Sequence, residues 1–452
     1  MTARFAGRTQ SHTDCSDDAN DVKRGSLILF VITSCLFFPV IFISFMSEPL
    51  RNFVFSFGCV LSILYLLIYK KCFDLTGVSY GYIWLIWLLV VIGARFLSDA
   101  EVGFSQISLL LAALVACIAA SGTQWMKPAL TCILILLCVH LLATIIFFIA
   151  PSLYLMTIKE WFYQNVTTAI GYQSGLSPHY SDNGFLMAMG VLLSASYFFV
   201  AREPKYRRRY GVLVILFAFG LVLTQKRAHL VFAVFSLLCT YMVSSSRGKA
   251  LKTVFACVIV SAACLVAASF IPGIADSFDR LFGTFSTLES GDIEDTTSGR
   301  TLLWNGALQG WFRNPIFGNG WGSYSFTWPD GSQSIYAHNE LLQILHDTGL
   351  VGLVIFAALL VATLRISLKN LRLIQRRTNT RESILTAAYY SFSLALFLCI
   401  YSCSTGTLLQ QPLIFLFWFL AVGINLSIQY KILIRNHYRG TTEISLERIS
   451  HD

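Results

Sequence analysis

Residues 129–150 read ALTCILILLCVHLLATIIFFIA and contain no Asp, Glu, Lys or Arg. A helix needs roughly 20 predominantly apolar residues to cross the hydrocarbon core of a bilayer. This stretch therefore predicts a membrane-spanning helix. Segments of similar length and polarity recur along the chain, so the fold is decided by how many of them there are and how they are oriented.

The composition of the whole chain agrees with this prediction. Hydrophobic residues make up 56% of the 452 residues, the mean hydropathy is +0.65, and 13% are charged, about half the share of soluble domains. The expected fold is an all-α polytopic membrane protein rather than a set of soluble domains. The net charge of +9 comes from basic residues spread between apolar segments, which predicts an orientation in the membrane and no nucleic-acid partner.

The 12 cysteines lie mostly inside apolar segments, without CxxC pairs or metal-ligand spacing. They are interpreted as small hydrophobic residues. This pattern predicts no metal site built from cysteines, and no cofactor is expected.

Twelve segments approach the length of a spanning helix. They divide the chain into an N-terminal tail (1–25), helices 1–9 within 26–272 with an outside loop near 151–182, a large outside loop (273–347), helices 10–12 within 348–430, and a C-terminal tail (431–452). Only QKRA separates the seventh and eighth segments, which predicts a tight hairpin. The segments are about 26–46, 53–69, 78–94, 103–121, 129–150, 183–201, 210–224, 229–245, 252–272, 348–368, 384–404 and 410–430.

The distribution of Lys and Arg predicts the orientation. With the N-terminus in the cytoplasm, about three quarters of the 33 basic residues fall on the cytoplasmic side, as the positive-inside rule requires. Both termini are then cytoplasmic, and both long loops lie outside. The basic residues that remain outside are Arg51, Arg95, Lys159, Lys226, Arg227, Arg280, Arg300 and Arg313.

Two of these cations, Lys226 and Arg227, stand between apolar runs in GLVLTQKRAHLVF, residues 220–232. A charge at the bilayer centre costs about 2.5–3.5 kcal/mol, so ionisable residues in such places are candidates for function. Two adjacent cations suit a phosphate or a pyrophosphate. The alternative is a hairpin tip at the interface, where both side chains reach water.

Arg300 lies in EDTTSGRTLLWNGALQGWFRNP, residues 294–315. Thr297 or Ser298 can cap a helix that runs to about Phe312, which places Arg300 in its first turn. The helix dipole disfavours a cation there, whereas a bound anion would gain from the free N–H groups and the guanidinium together. The alternative is an exposed arginine paired with a nearby carboxylate.

The next stretch, NPIFGNGWGSYSF (residues 314–326), combines three glycines with Pro315, Trp321 and Tyr324. It lacks the strand that precedes a dinucleotide-binding loop, so it is interpreted as an irregular turn that lets backbone approach a partner. Trp321 is a candidate for stacking on a sugar or an isoprenoid. An interfacial aromatic belt is the alternative.

Histidines at the outer surface are candidates for proton transfer. In SIYAHNELLQILHDTGL (residues 334–350), a helix from Ala337 to Asp347 would place His338 above a buried face. A neutral imidazole there could act as a general base near pH 7, although a buried structural histidine is the alternative. His179, Tyr336 and Glu340 are possible accessory residues. His338 and Glu340 do not form a metal pair, because positions i and i+2 point to different sides of a helix.

These motifs, in the order TQKRAHL, SGR, NPIFGNGWGSY and HNELLQILHDTGLVGL, resemble the O-antigen ligase and Wzy-type polymerase superfamily. The resemblance covers roughly residues 183–370 in residue pattern. It implies a bacterial inner-membrane protein with about twelve helices, a large, partly helical periplasmic loop and a GT-C-like glycosyltransferase architecture. The family carries functional residues at the places of Lys226–Arg227, Arg300 and His338, with Arg227 better matched than Lys226.

The resemblance implies a metal-independent, inverting glycosyltransferase whose periplasmic site uses an undecaprenyl-diphosphate-linked glycan as donor. Lys226, Arg227 and Arg300 would bind the diphosphate, and His338 would be the base. General likeness of the loop favours an O-antigen ligase with lipid A-core as acceptor, in contact with membrane lipids. The alternatives are a Wzy-type polymerase, then a protein O-oligosaccharyltransferase, then a transporter of lipid-linked glycan.

Overall fold

The computed structural model describes residues 14–43, 46–70, 112, 123–159, 173–245, 299–377, 380–404 and 411–449. These residues are mostly helical. A π-helical segment, Tyr154–Lys159, follows α4, and the strands β1 (Phe326–Thr327) and β2 (Gln333–Ser334) pair antiparallel. The helices are α1 (Asp14–Ile41), α2 (Glu48–Lys70), α3 (Met126–Ile149), α4 (Pro151–Leu153), α5 (Tyr180–Val200), α6 (Pro204–Leu223), α7 (Arg227–Ser244), α8 (Arg300–Trp311), α9 (Glu340–Gln375), α10 (Glu382–Ser404) and α11 (Pro412–Ile449).

Six described helices are long and apolar enough to cross a membrane: α3, α5, α7, α9, α10 and the part of α11 up to Tyr430. The predicted helical, multi-pass fold is therefore confirmed in its class. Helices α1, α2 and α6 cover the first, second and seventh predicted segments. The third, fourth and ninth segments (78–94, 103–121 and 252–272) lie outside the described residues apart from residue 112, so the expected number of twelve stays a prediction.

The predicted hairpin between the seventh and eighth segments is confirmed. Helix α6 ends at Leu223, helix α7 begins at Arg227, and three residues join them. Helix α6 begins earlier than expected, at Pro204, because proline has no N–H to satisfy and its fixed φ suits the first turn of a helix. The basic residues that follow it are therefore helical.

The core lies between α5, α10 and α11. The Phe185 ring of α5 packs edge-to-face against Phe397 and Tyr401 of α10 and Phe417 of α11, with centroids 5.6–6.1 Å apart. Such pairs stabilise a core beyond the area they bury. The end of α10 at Tyr401 is therefore held against the start of α5, which matters for the site.

The helix expected over Ala337–Asp347 begins later, at Glu340. His338 has a φ of 50°, outside the helical region, and the Asn339 side chain accepts a hydrogen bond from the Leu342 N–H at 3.2 Å. Asparagine is among the preferred N-cap residues because its oxygen satisfies such an N–H. The prediction was therefore wrong about His338, which precedes the helix.

Helix α9 also runs across the predicted loop–span boundary at residues 347 and 348, with a break at Gly349 (φ 66°, ψ −165°). The N–H groups of Leu350 and Val351 donate instead to the carbonyls of Pro315 and Ile316, at 3.0 and 3.2 Å. A Cβ at position 349 would overlap the Ile316 backbone, so the position requires glycine. The glycine-rich turn predicted at residues 314–326 thus docks on the start of a spanning segment.

Helix α8 ends near the predicted residue but starts differently. Its N-cap is Gly299, with a φ of 72° and no side-chain cap, and Thr297 and Ser298 lie outside the described residues. Arg300 is its first residue, as expected. The N–H groups of the first turn thus receive no side-chain acceptor at the N-cap, in contrast to α9.

Candidate active site at the ends of five helices

Five helix ends meet at one end of the bundle: α5, α7, α8 and α9 begin there, and α10 ends there. The opposite end carries the exposed basic residues at the start of α6, Arg207, Arg208 and Arg209, together with Arg372 in the last turn of α9. The predicted site residues therefore lie at the end of the bundle away from these cations.

Two hydrogen bonds bring Arg300 and His338 together. The Arg300 Nη1 donates to the Ser404 carbonyl at 2.7 Å, and the Asn339 Nδ2 donates to the Cys403 carbonyl at 3.0 Å. Both carbonyls lie in the last described turn of α10, where they accept hydrogen bonds from side chains outside that helix. A cation at a helix C-terminus also complements the helix dipole. The end of α10 is thus a fixed scaffold for Arg300 and for the residue next to His338.

Backbone strain is concentrated at this site. Among the described residues, Gln225 and His338 are the non-glycine positions with positive φ, at 55° and 50°. The left-handed region costs an ordinary residue roughly 1–2 kcal/mol, and such strain recurs at functional sites. One of these residues is His338 itself, and the other directly precedes Lys226.

Lys226 is half-buried beside aromatic and charged groups. Its Nζ lies 4.4 Å from the centre of the Tyr180 ring, a cation–π contact. Burial and the positive charge of Arg300 lower the pKa of Lys226 to about 8, although the Asp182 carboxylate partly opposes the shift. No carboxylate among the described residues forms a salt bridge with Lys226 or Arg300. The two cations therefore face each other without full neutralisation.

His338 shares this electrostatic environment. Burial lowers its pKa below the ordinary histidine value, and the charges of Arg300 and Lys226 lower it further. The imidazole is therefore neutral at pH 7, the form in which one ring nitrogen can accept a proton. Lys226, Arg300 and His338, which are dispersed in the sequence, thus lie close enough to act on one another.

Glu340 and Tyr336 lie beside this cluster. Glu340 is fully buried at the start of α9, where the helix dipole favours a carboxylate. Burial raises the pKa of Tyr336, and the charge of Glu340 raises it further. Glu340 is therefore a buried carboxylate two residues after His338, and its accessory role stays a prediction.

The remaining predicted residues have different positions. Arg227 begins α7, next to Lys226. His179 is exposed and caps α5, because its Nδ1 accepts the Ser181 N–H at 3.1 Å. Trp321 is only 3% exposed and belongs to the main core, where its ring is packed rather than open to a sugar. The structure thus brings Arg227 and His179 to the edge of the cluster and takes Trp321 away from the surface.

His229 was missed by the sequence reasoning. It lies two residues after Arg227, is 1% exposed, and packs 5.3 Å from the Tyr401 ring. The charges of Lys226 and Arg300 act on it, so it belongs to the same cluster. Its one sequence signal was its place in QKRAH. That pattern does not distinguish a histidine facing the site from one facing lipid.

Several polar atoms near Arg300 are buried without a hydrogen-bond partner among the described residues. They are Thr301 Oγ1 and Trp304 Nε1 on α8, Ser404 Oγ at the end of α10, and both ring nitrogens of His229. Buried polar groups are normally satisfied, so each exception calls for a partner such as water or a ligand. Their position around Arg300 indicates a place for a polar molecule.

A hydrogen-bond network outside the cluster holds the loop that follows α8. His346 Nδ1 lies 2.8 Å from Asp347 Oδ1, and Asp347 Oδ2 accepts from Gln343 Nε2 at 3.1 Å and from the Gly322 N–H at 3.0 Å. Gln343 Oε1 in turn accepts the Ala337 N–H at 2.8 Å. The network therefore ties the glycine-rich turn and the backbone just before His338 to one side of α9.

The described residues contain no group of three or more His, Cys, Asp or Glu side chains that could hold a metal ion. The cations and the imidazole of the cluster can bind an anion and accept a proton. These two abilities match a group transfer in which a phosphate leaves and a hydroxyl attacks.

Residues 212–357 match the model of a family described as O-antigen ligase. The matched segment is about a third of the chain and contains Lys226, Arg227, Arg300 and His338. No curated protein matches the chain at a significant level. Members of the family are glycosyltransferase-like membrane enzymes, so the match supports a function of the O-antigen ligase or polymerase type. The expected resemblance to the O-antigen ligase and Wzy-type polymerase superfamily is thus confirmed over residues 212–357.

Proposed function

We propose that this protein is an O-antigen ligase: it transfers a glycan from undecaprenyl diphosphate to a hydroxyl of lipid A-core on the periplasmic side of the bacterial inner membrane. The observation that carries the proposal is the cluster of Lys226, Arg300 and His338 at one end of a helical bundle. The family match covers all three residues.

The cations support a site for the diphosphate. Arg300 is fixed by the Ser404 carbonyl, and neither it nor Lys226 has a salt-bridge partner among the described residues. Helices α7 and α8 begin at Arg227 and Arg300 without side-chain caps. Free N–H groups at a helix start bind anions together with nearby cations. The two helix ends and the three basic side chains would therefore stabilise the charge on a leaving diphosphate.

His338 would act as the base. The acceptor oxygen attacks the anomeric carbon, the bond from that carbon to the phosphate oxygen breaks, and its electron pair leaves with undecaprenyl diphosphate. The hydroxyl proton passes to the His338 ring, which is neutral at pH 7 because burial and two cations lower its pKa. Attack opposite the leaving group inverts the configuration at the anomeric carbon. The diphosphate already activates the donor, so the chain's residues need supply only charge stabilisation and a base.

The charge distribution supports the periplasmic location. Arg207, Arg208, Arg209 and Arg372 lie at the end of the bundle away from the cluster, and basic residues favour the cytoplasmic side. The site would then face the periplasm, at the level where the head group of a lipid-linked donor lies. Both termini would be cytoplasmic.

Arg300 variants test the proposed chemistry in detergent-purified protein. We expect Arg300→Ala to abolish transfer from a lipid-linked glycan and Arg300→Lys to lose most of it, because lysine keeps the charge but not the planar, bidentate geometry. EDTA should leave the wild-type rate unchanged. Transfer at the wild-type rate by Arg300→Ala would exclude the diphosphate assignment. Because transfer in detergent needs no membrane potential, it would also separate an enzyme from a transporter.

A null strain separates the ligase from the polymerase. For a ligase, we expect long polymer to accumulate on the lipid carrier while lipid A-core stays bare. Lipid A-core that carries a single repeat unit would instead identify a Wzy-type polymerase. Unchanged lipopolysaccharide with loss of glycan from proteins would identify a protein O-oligosaccharyltransferase.

A further inference from the structure

His229 is a buried histidine to which neither the sequence nor the family match assigns a role. It is 1% exposed, and neither Nδ1 nor Nε2 has a hydrogen-bond partner among the described residues. Its ring contacts Tyr401 and Phe397, with centroids 5.3 and 6.5 Å apart. A phenylalanine would make the same contacts without burying two polar nitrogens.

The location of His229 indicates what it is for. It lies in the first turn of α7, two residues after Arg227 and three after Lys226. The charges of Lys226 and Arg300 both act on its ring. In its neutral form the ring offers one N–H donor and one acceptor nitrogen. A donor beside two cations and an uncapped helix start can complete a binding site for phosphate oxygens.

A second observation points to the same ligand. Thr301 Oγ1, Trp304 Nε1 and Ser404 Oγ are also buried without partners among the described residues. Arg300 lies among them, since it precedes Thr301 and bonds to the Ser404 carbonyl. Buried polar groups without partners are unfavourable, and one oxygen-rich ligand could satisfy several of them at once.

We infer that His229 is a binding residue for the donor, whose ring N–H donates a hydrogen bond to a diphosphate oxygen held by Lys226 and Arg300. This inference rests on the proposed function and adds a neutral donor to its cationic site. It assigns to His229 neither proton transfer nor a change in charge. Its role is to bind the diphosphate before and during the departure of undecaprenyl diphosphate.

The inference is tested by measuring the Kd of undecaprenyl diphosphate for the full chain in detergent, together with the Tm of each variant. His229→Phe should weaken binding by about 10- to 100-fold, the loss expected for one hydrogen bond to a charged group. The Tm should stay the same or rise, because the variant removes two unsatisfied nitrogens and keeps the ring contacts. His229→Gln, which retains an N–H donor, should recover part of the affinity.

Ser236→Ala is the matched control. Ser236 lies on the same helix as His229, is fully buried, and has no partner for its Oγ among the described residues. It lies two turns deeper in the bundle, so Ser236→Ala should leave the Kd unchanged, while its Tm should stay the same or rise as for His229→Phe. A ligand effect confined to His229 would therefore distinguish binding from the general consequence of deleting a buried polar atom.

The outcomes separate the inference from the proposed function. If His229→Phe binds as tightly as wild type, or if both His229 variants lose affinity and Tm together, the inference about His229 is wrong. If wild-type protein and Arg300→Ala bind undecaprenyl diphosphate equally, the diphosphate site itself is wrong. Weaker binding by His229→Phe at an unchanged or raised Tm, with Arg300→Ala not binding, supports both.

Discussion

Binding of the donor diphosphate should weaken at alkaline pH, because Lys226 loses its charge there. Its pKa is lowered to about 8 by burial and by Arg300, so its ammonium is charged below that pH and neutral above it. One pH unit above the pKa, about one tenth of the lysine side chains keep the proton. About half of the side chains are protonated at pH 8, so we expect the Kd for undecaprenyl diphosphate to rise about fivefold between pH 8 and pH 9.

The size of this effect is bounded by what one charged donor contributes. A hydrogen bond to a charged group is worth about 1.5–3 kcal/mol, so the total loss of affinity should level off at about 10- to 100-fold. Binding the anion also favours the charged lysine, so the complex should take up protons above pH 8. Calorimetry in two buffers of different ionisation enthalpy would measure that uptake.

Lys226→Arg is the matched comparison, because arginine stays charged throughout the range. Between pH 6.5 and 9.5, titration of residue 226 should not change the Kd of the variant, whereas the Kd of the wild-type protein should rise at alkaline pH. The ionisation of the ligand is common to both proteins and cancels in the comparison. Parallel pH profiles for the two proteins would refute the assignment of Lys226 to the diphosphate site.

The same pKa has a consequence for stability. The folded pKa of Lys226, about 8, lies below the ordinary lysine value of 10.5, so the unfolded chain binds more protons between these values. The contribution of Lys226 to the free energy of unfolding should therefore rise with pH through this window. Lys226→Met, which keeps the aliphatic stem, should remove this slope in thermal unfolding at pH 8 to 10.

Three other variants, one of them with a matched control, test the site and its supports. His338→Ala should reduce the transfer rate by about 10²- to 10⁴-fold, the usual contribution of a general base, while undecaprenyl diphosphate still binds; wild-type turnover would exclude the role. Gly349→Ala should destabilise the protein by about 1–3 kcal/mol through backbone strain, and by more through overlap with Ile316. Gly331→Ala, also at positive φ but in open space, should cost only the strain; equal Tm losses would contradict the docking of the loop. Asn339→Ala should lower stability by about 1 kcal/mol through loss of the cap, and should lower the transfer rate more than the Tm change accounts for; an unchanged rate would contradict the positioning of His338.

The sequence predicted the architecture because membrane helices are locally determined. In lipid, each backbone N–H and C=O must be satisfied within its own segment, so an apolar run such as residues 129–150 forms α3 whatever its neighbours do. The turn between α6 and α7 was also predicted locally, from the polar stretch QKRA that separates two apolar segments. The start of α9 was not predicted correctly. Asn339 is the N-cap, so His338 lies outside the helix.

The site depended on contacts that no local pattern contains. The sequence by itself determined a helical, multi-pass chain and named Lys226, Arg300 and His338 as candidates. Only the tertiary structure decided that they lie together, through the hydrogen bond from Arg300 to Ser404, 104 positions away, and the bond from Asn339 to Cys403, 64 positions away. His229 and the burial of Trp321 were likewise decided by packing, because the face a side chain presents depends on which helices surround it.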